Sequence, residues 1–214
     1  MELSEVLRRR RMVRRYTGEP VARAQLGRVL AAALRAPSAG GSEGRDLLVL
    51  RGAERDAFWE LTAPPGPADA WLTGMRTAPV VVLALSDPGA YAARYARPDK
   101  RADTRPGRGS ASWSVDWPDV DTGMAALLVL LAAVDEGLGA CLVGVPAHAH
   151  DAVRESFGVP ADRRVVAALT IGHPAPASAP ASAPAGGSGG APARARRTLA
   201  DTAHDGRFGV PWDG

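Results

Sequence analysis

Apolar positions along this chain switch repeatedly between helical and strand spacing. Leu3, Val6 and Leu7 recur at helical spacing and predict a first helix over 2–14. Gly18 and Pro20 then break the chain, and 22–35 predicts a second helix with Leu26, Val29, Leu30 and Ala33 on one face. Pro37 stops it. The short apolar run 47–50 predicts a buried strand, 53–61 a helix, and Pro64-Pro65-Gly66-Pro67 a loop before a short helix over 71–75. A second strand is predicted over 80–85, bounded by Pro79 and Pro88. The segment 120–136 is apolar almost all round, which predicts a helix buried on most sides. In a chain of 214 residues, a dimer interface is a natural place to bury such a helix. Strands over 140–145 and 165–171, with a helix over 151–157 between them, complete the pattern.

Two stretches lack any period. Residues 97–118 carry Pro98, Pro106, Gly107, Gly109 and Pro118, the composition of a lid or a disordered loop. Residues 174–193 are almost only Pro, Ala, Ser and Gly, too poor in apolar surface to offset their ordering entropy. The expected organisation is a core over 1–173, a mobile linker over 174–193, and an extension over 194–214 that completes the same domain at a distant site.

Composition narrows the class. The apolar share of 46% and charged share of 23% are those of a globular protein. Net charge is +3 with pI about 9.6, and Lys100 is the lone lysine, so the basic character is arginine, the side chain best suited to phosphate forks. No aromatic-basic interleaving accompanies it, so no nucleic-acid partner is expected. The longest apolar run, 123–134, falls short of the roughly 18–20 residues that span a bilayer. With no apolar leader at the start, these features predict a cytoplasmic protein that does not engage a membrane.

Several chemistries are missing. The sequence holds no nucleophile elbow, no phosphate-binding glycine loop opening a helix, and no dinucleotide fingerprint. His148 and His150 lie two apart without a carboxylate-rich surround, and His173 and His204 stand alone, so no metal site is expected. Cys141 lies in an apolar strand and reads as an inert core thiol. Trp113, Trp117, Tyr91 and Tyr95 flank the irregular middle region, where they either line a substrate pocket or pack the loop.

What remains is a set of basic and turn motifs. The first is Arg8-Arg9-Arg10-Arg11-Met12-Val13-Arg14-Arg15-Tyr16. One helix later comes Ala36-Pro37-Ser38-Ala39-Gly40-Gly41-Ser42, and near the end Arg194, Arg196 and Arg197. On one helix, Arg10 and Arg14 share a face, so the first two motifs could address one anionic, planar ligand. Asp121-Thr122-Gly123-Met124 opens the apolar helix, which closes on Asp135-Glu136-Gly137-Leu138-Gly139-Ala140. In order and spacing these motifs, with Glu19-Pro20-Val21 and the closing run from Arg196 to Gly209, resemble the nitroreductase family of FMN-dependent oxidoreductases.

The resemblance implies an α+β fold: a central, mostly antiparallel sheet flanked by helices, in an intertwined homodimer whose C-terminal segments exchange strands. It implies FMN as cofactor and NAD(P)H as reductant. The reaction would be ping-pong hydride transfer to an electron-poor acceptor such as a nitro compound or quinone, with the cofactor carrying the chemistry and no catalytic side chain required. It assigns Arg10, Arg11, Met12 and Arg14 to the FMN phosphate and the pyrimidine side of the ring. Pro37, Ser38, Ala39 and Ser42 would form a turn that meets the flavin bound mainly to the other subunit. Gly137 and Gly139 would offer backbone donors, although a helix cap is the better explanation of Gly137, and Arg194, Arg196 and Arg197 would clamp the phosphate.

The chain also departs from that family. Met12 stands where a serine hydroxyl is usual, which removes a hydrogen bond of about 0.5–1.5 kcal/mol. Gly41-Ser42-Glu43-Gly44-Arg45 replaces the usual amide-bearing run, and Glu43 would repel a flavin anion unless Arg45 neutralises it. Two other readings therefore stand beside the oxidoreductase: a flavin-sequestering protein without efficient turnover, and a specialised biosynthetic flavoenzyme, with a deazaflavin partner as one version.

Overall fold

The computed structural model describes residues 1–101, 113–176 and 197–212, in two compact units, 1–177 and 178–214. The first unit is built on four strands: β1 (Arg45–Arg51), β2 (Val80–Ser86), β3 (Gly139–Val143) and β4 (Arg164–Gly172). They form one antiparallel sheet in the order β1-β2-β4-β3, with Leu48 opposite Leu83, Val82 opposite Leu169, and Cys141 opposite Thr170.

The sheet is covered on both faces, and β2 shows why. Its residues are buried from end to end, as expected of a strand packed on two sides. Alternate side chains divide between two cores. Val80, Val82 and Ala84 pack with helices α2 (Arg23–Ala31) and α7 (Trp117–Asp135). Val81, Leu83 and Leu85 pack with α3 (Ala53–Thr62), α4 (Ala70–Met75) and α8 (His150–Ser156), through Phe58, Trp59, Met75 and Val153. Among the described residues the other α-helices are α1 (Leu3–Arg9), α5 (Pro88–Tyr95) and α6 (Pro98–Arg101).

Helix α7 is the axis of the unit. Ala125, Ala126, Val129, Leu130 and Ala133 are buried toward the sheet, where small side chains allow close approach. Val120 and Leu127 lie exposed on another face, and Met124, Leu131 and Val134 are half-buried. By length and composition α7 could cross a membrane, but one side of it forms the core against the sheet. Its end is a glycine cap: Gly137 has φ +73°, and the Leu138 N–H donates to the Ala133 carbonyl at 2.7 Å.

Four differences from the sequence expectation have physical causes. The first helix ends at Arg9 instead of running to 14, because the next residues pair with the sheet: the Val13 N–H donates to the Ala140 carbonyl at 3.0 Å and Tyr16 is buried. An unexpected helix, α5, starts at Pro88; Asp87 caps it by accepting from the Ala90 N–H at 3.1 Å. Helix α7 starts at Trp117, since Pro118 is tolerated in a first turn. Pro174 and Ala175, at the head of the expected linker, pair with Tyr16 and Arg15; the rest of that linker from 177 onward lies outside the described residues.

In the second unit, residues 197–212 form a small closed turn. Asp201 accepts from the Thr198 N–H and hydroxyl at 2.8 and 2.7 Å, and His204 bridges Pro211. Phe208 is 95% exposed.

Candidate functional site

The arginine segment runs extended along the outer edge of β3. Met12 forms a parallel bridge to Ala140 and packs against both cores. Val13 lies over Gly139, where an added Cβ would come within 2.8 Å of the valine side chain. Tyr16 pins the far end: its hydroxyl donates to the Val13 carbonyl at 2.6 Å and lies 2.7 Å from the Thr170 hydroxyl. Burial pushes that phenol well above its ordinary pKa. Burial also raises the Cys141 thiol, against the opposing pull of Arg14, so this cysteine stays protonated and unreactive.

Arg10 and Arg14 therefore do not share a helix face. Four residues of extended chain separate them by about 13 Å, roughly twice the helical spacing. Arg8 and Arg9 are both paired with Glu5. Arg10, Arg11 and Arg14 have no carboxylate partner among the described residues, and Arg11 and Arg14 are exposed.

The turn motif is built at the other end of α7. After Pro37, the backbone at Gly40, Gly41 and Glu43 takes φ of +66°, +68° and +53°. Ser38 Oγ accepts from the Glu43 N–H at 2.9 Å, and Ser42 Oγ donates to the Ala39 carbonyl at 2.6 Å. Two neighbouring helices clasp the turn. From α7, Asp121 Oδ2 accepts from the Ala39 N–H at 2.7 Å; from α5, Arg94 Nε donates to the Gly40 carbonyl at 2.8 Å. Tyr91 donates to the same Asp121 oxygen at 2.7 Å. Burial first, and then the adjacent carboxylate, raise the Tyr91 pKa, so it remains a donor.

The two motifs are thus not brought together within one chain. Asp121 touches the turn, while Ala140, beside the arginine segment, follows the C-terminal end of α7. Between Asp121 and Asp135 lie about 20 Å of helix, at ~1.5 Å per residue. The expectation that both face one ligand holds for one chain only if a second copy supplies the other motif.

The other expected residues are placed as follows. Gly137 caps α7, and Gly139 is buried under Val13; both have structural reasons to be glycine. Arg197 is exposed in the second unit, and Arg194 and Arg196 lie outside the described residues. Arg45 does not neutralise Glu43: one nitrogen reaches the Leu34 carbonyl at 3.3 Å, and Nε and Nη1 are buried without a partner. Tyr91 and Tyr95 pack edge-on against Trp113, at 6.1 and 5.0 Å between ring centres. A cavity of 350 Å³ opens between α2 and β1, but none of the expected site residues lines it.

Sequence reasoning missed Asp121, Tyr91 and Arg94 as supports of the turn. A visible signal existed for the first: a carboxylate placed just before the long apolar run of α7.

The profile of the Nitroreductase family matches residues 7–173. Among solved structures, the Lactococcus lactis nitroreductase CinD, in complex with nicotinic acid, is 22% identical, with 83% of this chain and 93% of that one covered and a TM-score of 0.67. A Desulfovibrio desulfuricans protein in complex with FMN is 24% identical, with 86% and 93% covered and a TM-score of 0.63. An FMN-dependent nitroreductase of Clostridium difficile is 22% identical, with 78% and 85% covered and a TM-score of 0.57. No curated protein matches the chain.

Proposed function

The chain belongs to the nitroreductase family, and from that premise we propose that it is an FMN-dependent oxidoreductase. It acts as a homodimer and uses NAD(P)H to reduce an electron-poor acceptor in two successive half-reactions. One observation carries this reading: arginines without a carboxylate partner among the described residues at one end of α7 and a clasped backbone turn at the other, with an apolar stripe on the helix between them. Val120, Met124, Leu127, Leu131 and Val134 recur at alternating spacings of four and three, the pattern of a seam that packs against another helix. A two-fold copy packed on that stripe would carry its turn toward the arginines of the first chain.

The residues present suit FMN. Among the described residues Arg10, Arg11 and Arg14 hold no competing carboxylate, so their forks are open to a phosphate and to the polar edge of a ring. Their extended spacing matches an elongated ligand better than a compact one. FMN, when bound, supplies the hydride chemistry itself. Arg10, Arg11 and Arg14, with the turn of a partner chain, would hold FMN, add a cationic field and exclude water. The proposal extends to Arg194, Arg196 and Arg197 as phosphate ligands, to be tested by flavin retention after removal of residues 194–214.

A second reading, flavin binding without efficient turnover, draws on Glu43. Its carboxylate is exposed on the turn, and Arg45 does not offset it. One experiment separates the readings. FMN is added to the purified full chain, the protein is dialysed, and its visible spectrum is recorded before and after anaerobic NADH or NADPH. Retained flavin bands that bleach support the oxidoreductase. Retained bands that do not bleach favour sequestration. Loss of the bands overturns both.

A further inference from the structure

We propose that Asp121 is a positioning residue for the flavin site: its buried carboxylate, oriented by Tyr91, holds the Ala39 N–H and so fixes the backbone of the turn that meets the cofactor. This inference rests on the function proposed above. The turn cannot hold itself in place. Three of the four residues from Gly40 to Glu43 are left-handed, and one is a glutamate, which pays a steric cost there. Its internal bonds, Ser38 to Glu43 and Ser42 to Ala39, close the loop but do not anchor it to the core. Anchoring falls to Asp121 and Arg94.

Asp121 is 2% exposed, and among the described residues no cation forms an ion pair with it. A buried carboxylate is costly unless hydrogen bonds compensate. Here one oxygen receives two short, charge-assisted bonds, from Ala39 and Tyr91. Packing alone does not require a charge: the neighbouring buried positions Ala125, Ala126 and Val129 are apolar. What the carboxylate adds is direction. Held by the Tyr91 hydroxyl, it fixes where the Ala39 N–H lies and therefore where Ser38 stands. Ser38 Oγ already accepts from Glu43, which leaves its hydroxyl proton to donate outward.

Tyr91 is itself tightly placed. Its ring meets Trp113 edge-on at 6.1 Å, and a Cβ on Gly44 would fall 2.7 Å from it. Asp121 thus transmits the position of α5 and Trp113 to the turn without touching the cofactor.

The test compares full-length wild type, Asp121→Asn, Tyr91→Phe and the double variant, each titrated with FMN. Dimer mass, melting temperature of the flavin-free protein and midpoint potential of bound flavin are measured alongside. Asp121→Asn should weaken FMN binding about tenfold or more, the effect of losing a charge-assisted bond, and shift the midpoint potential while the dimer persists. Tyr91→Phe should act in the same direction but less, and the double variant should be no worse than Asp121→Asn, because both act through one oxygen. Wild-type affinity and potential in a folded Asp121→Asn dimer would overturn the proposal. Should that variant fail to fold, Tyr91→Phe decides, since it removes a single hydroxyl: unchanged affinity and potential overturn the proposal, and a loss supports it. A wild-type protein that binds no FMN overturns the functional reading and this inference with it.

Discussion

Glu43 is the non-glycine residue with positive φ among those described, at +53°. For an L-residue that conformation costs roughly 1–2 kcal/mol, partly offset by the entropy a glycine loses on folding. Glu43→Gly should therefore stabilise the flavin-free protein by up to about 1 kcal/mol, seen as a rise in melting temperature of about 2–4 °C for a domain of this size. Because the substitution also removes from the turn a carboxylate that Arg45 does not pair, FMN should bind more tightly in the same protein. An unchanged melting temperature would show that the turn relaxes around the glutamate. The arginines make a second prediction at this scale. Arg9 is committed to Glu5, whereas Arg14 has no carboxylate partner among the described residues. Arg14→Ala should weaken FMN binding about tenfold or more by loss of a charge-assisted contact, and Arg9→Ala should leave it nearly unchanged. Equal losses in the two titrations would place the phosphate elsewhere.

Among the elements, α7 carries the most consequence. Leu127 is 47% exposed in the middle of its apolar stripe, and a leucine buried on association contributes roughly 1.5–3 kcal/mol. In a two-fold interface each substitution counts twice. Leu127→Arg should accordingly shift the protein from dimer to monomer in sedimentation velocity, with little loss of helix by circular dichroism; a dimer that survives would place the interface on another face. The strands, the long apolar helix and most other helices were legible in the sequence from their apolar runs and spacings, whereas the exposed stripe on α7 was not, because the segment is apolar almost all round. The path of residues 10–16 was not. Arg8 to Arg11 continue a helical spacing from Val6 and Leu7, and nothing local announces that Val13 will bond to Ala140, a partner far along the chain. Helix α5 lacked an apolar stripe, yet Asp87 followed by Pro88 is a start signal that went unread. At the site, the motif residues were visible as residue types, but their support was not. Asp121 reads as one of two aspartates at the head of an apolar helix until Ala39 and Tyr91 are seen to meet it.

For the whole molecule, in the homodimer proposed above, the separation of the two motifs along α7 would make the site a property of the dimer. Each site would take its arginines from one chain and its turn from the other, so defects in the two motifs should complement. In Arg14→Ala both sites of the homodimer lack a cation. In Gly40→Val both lack a proper turn, since φ is +66° and a Cβ would lie 3.0 Å from the Tyr95 ring. A mixed dimer of the two variants holds one doubly defective site and one native site. After equal mixing and free exchange of subunits, about a quarter of all sites should regain native FMN affinity, which a fluorescence titration of the mixture resolves as a tight class absent from either parent. A site contained in one chain would give no such class, because every chain in the mixture carries a defect. The outcome therefore reads the architecture of the site directly, whichever acceptor the protein uses.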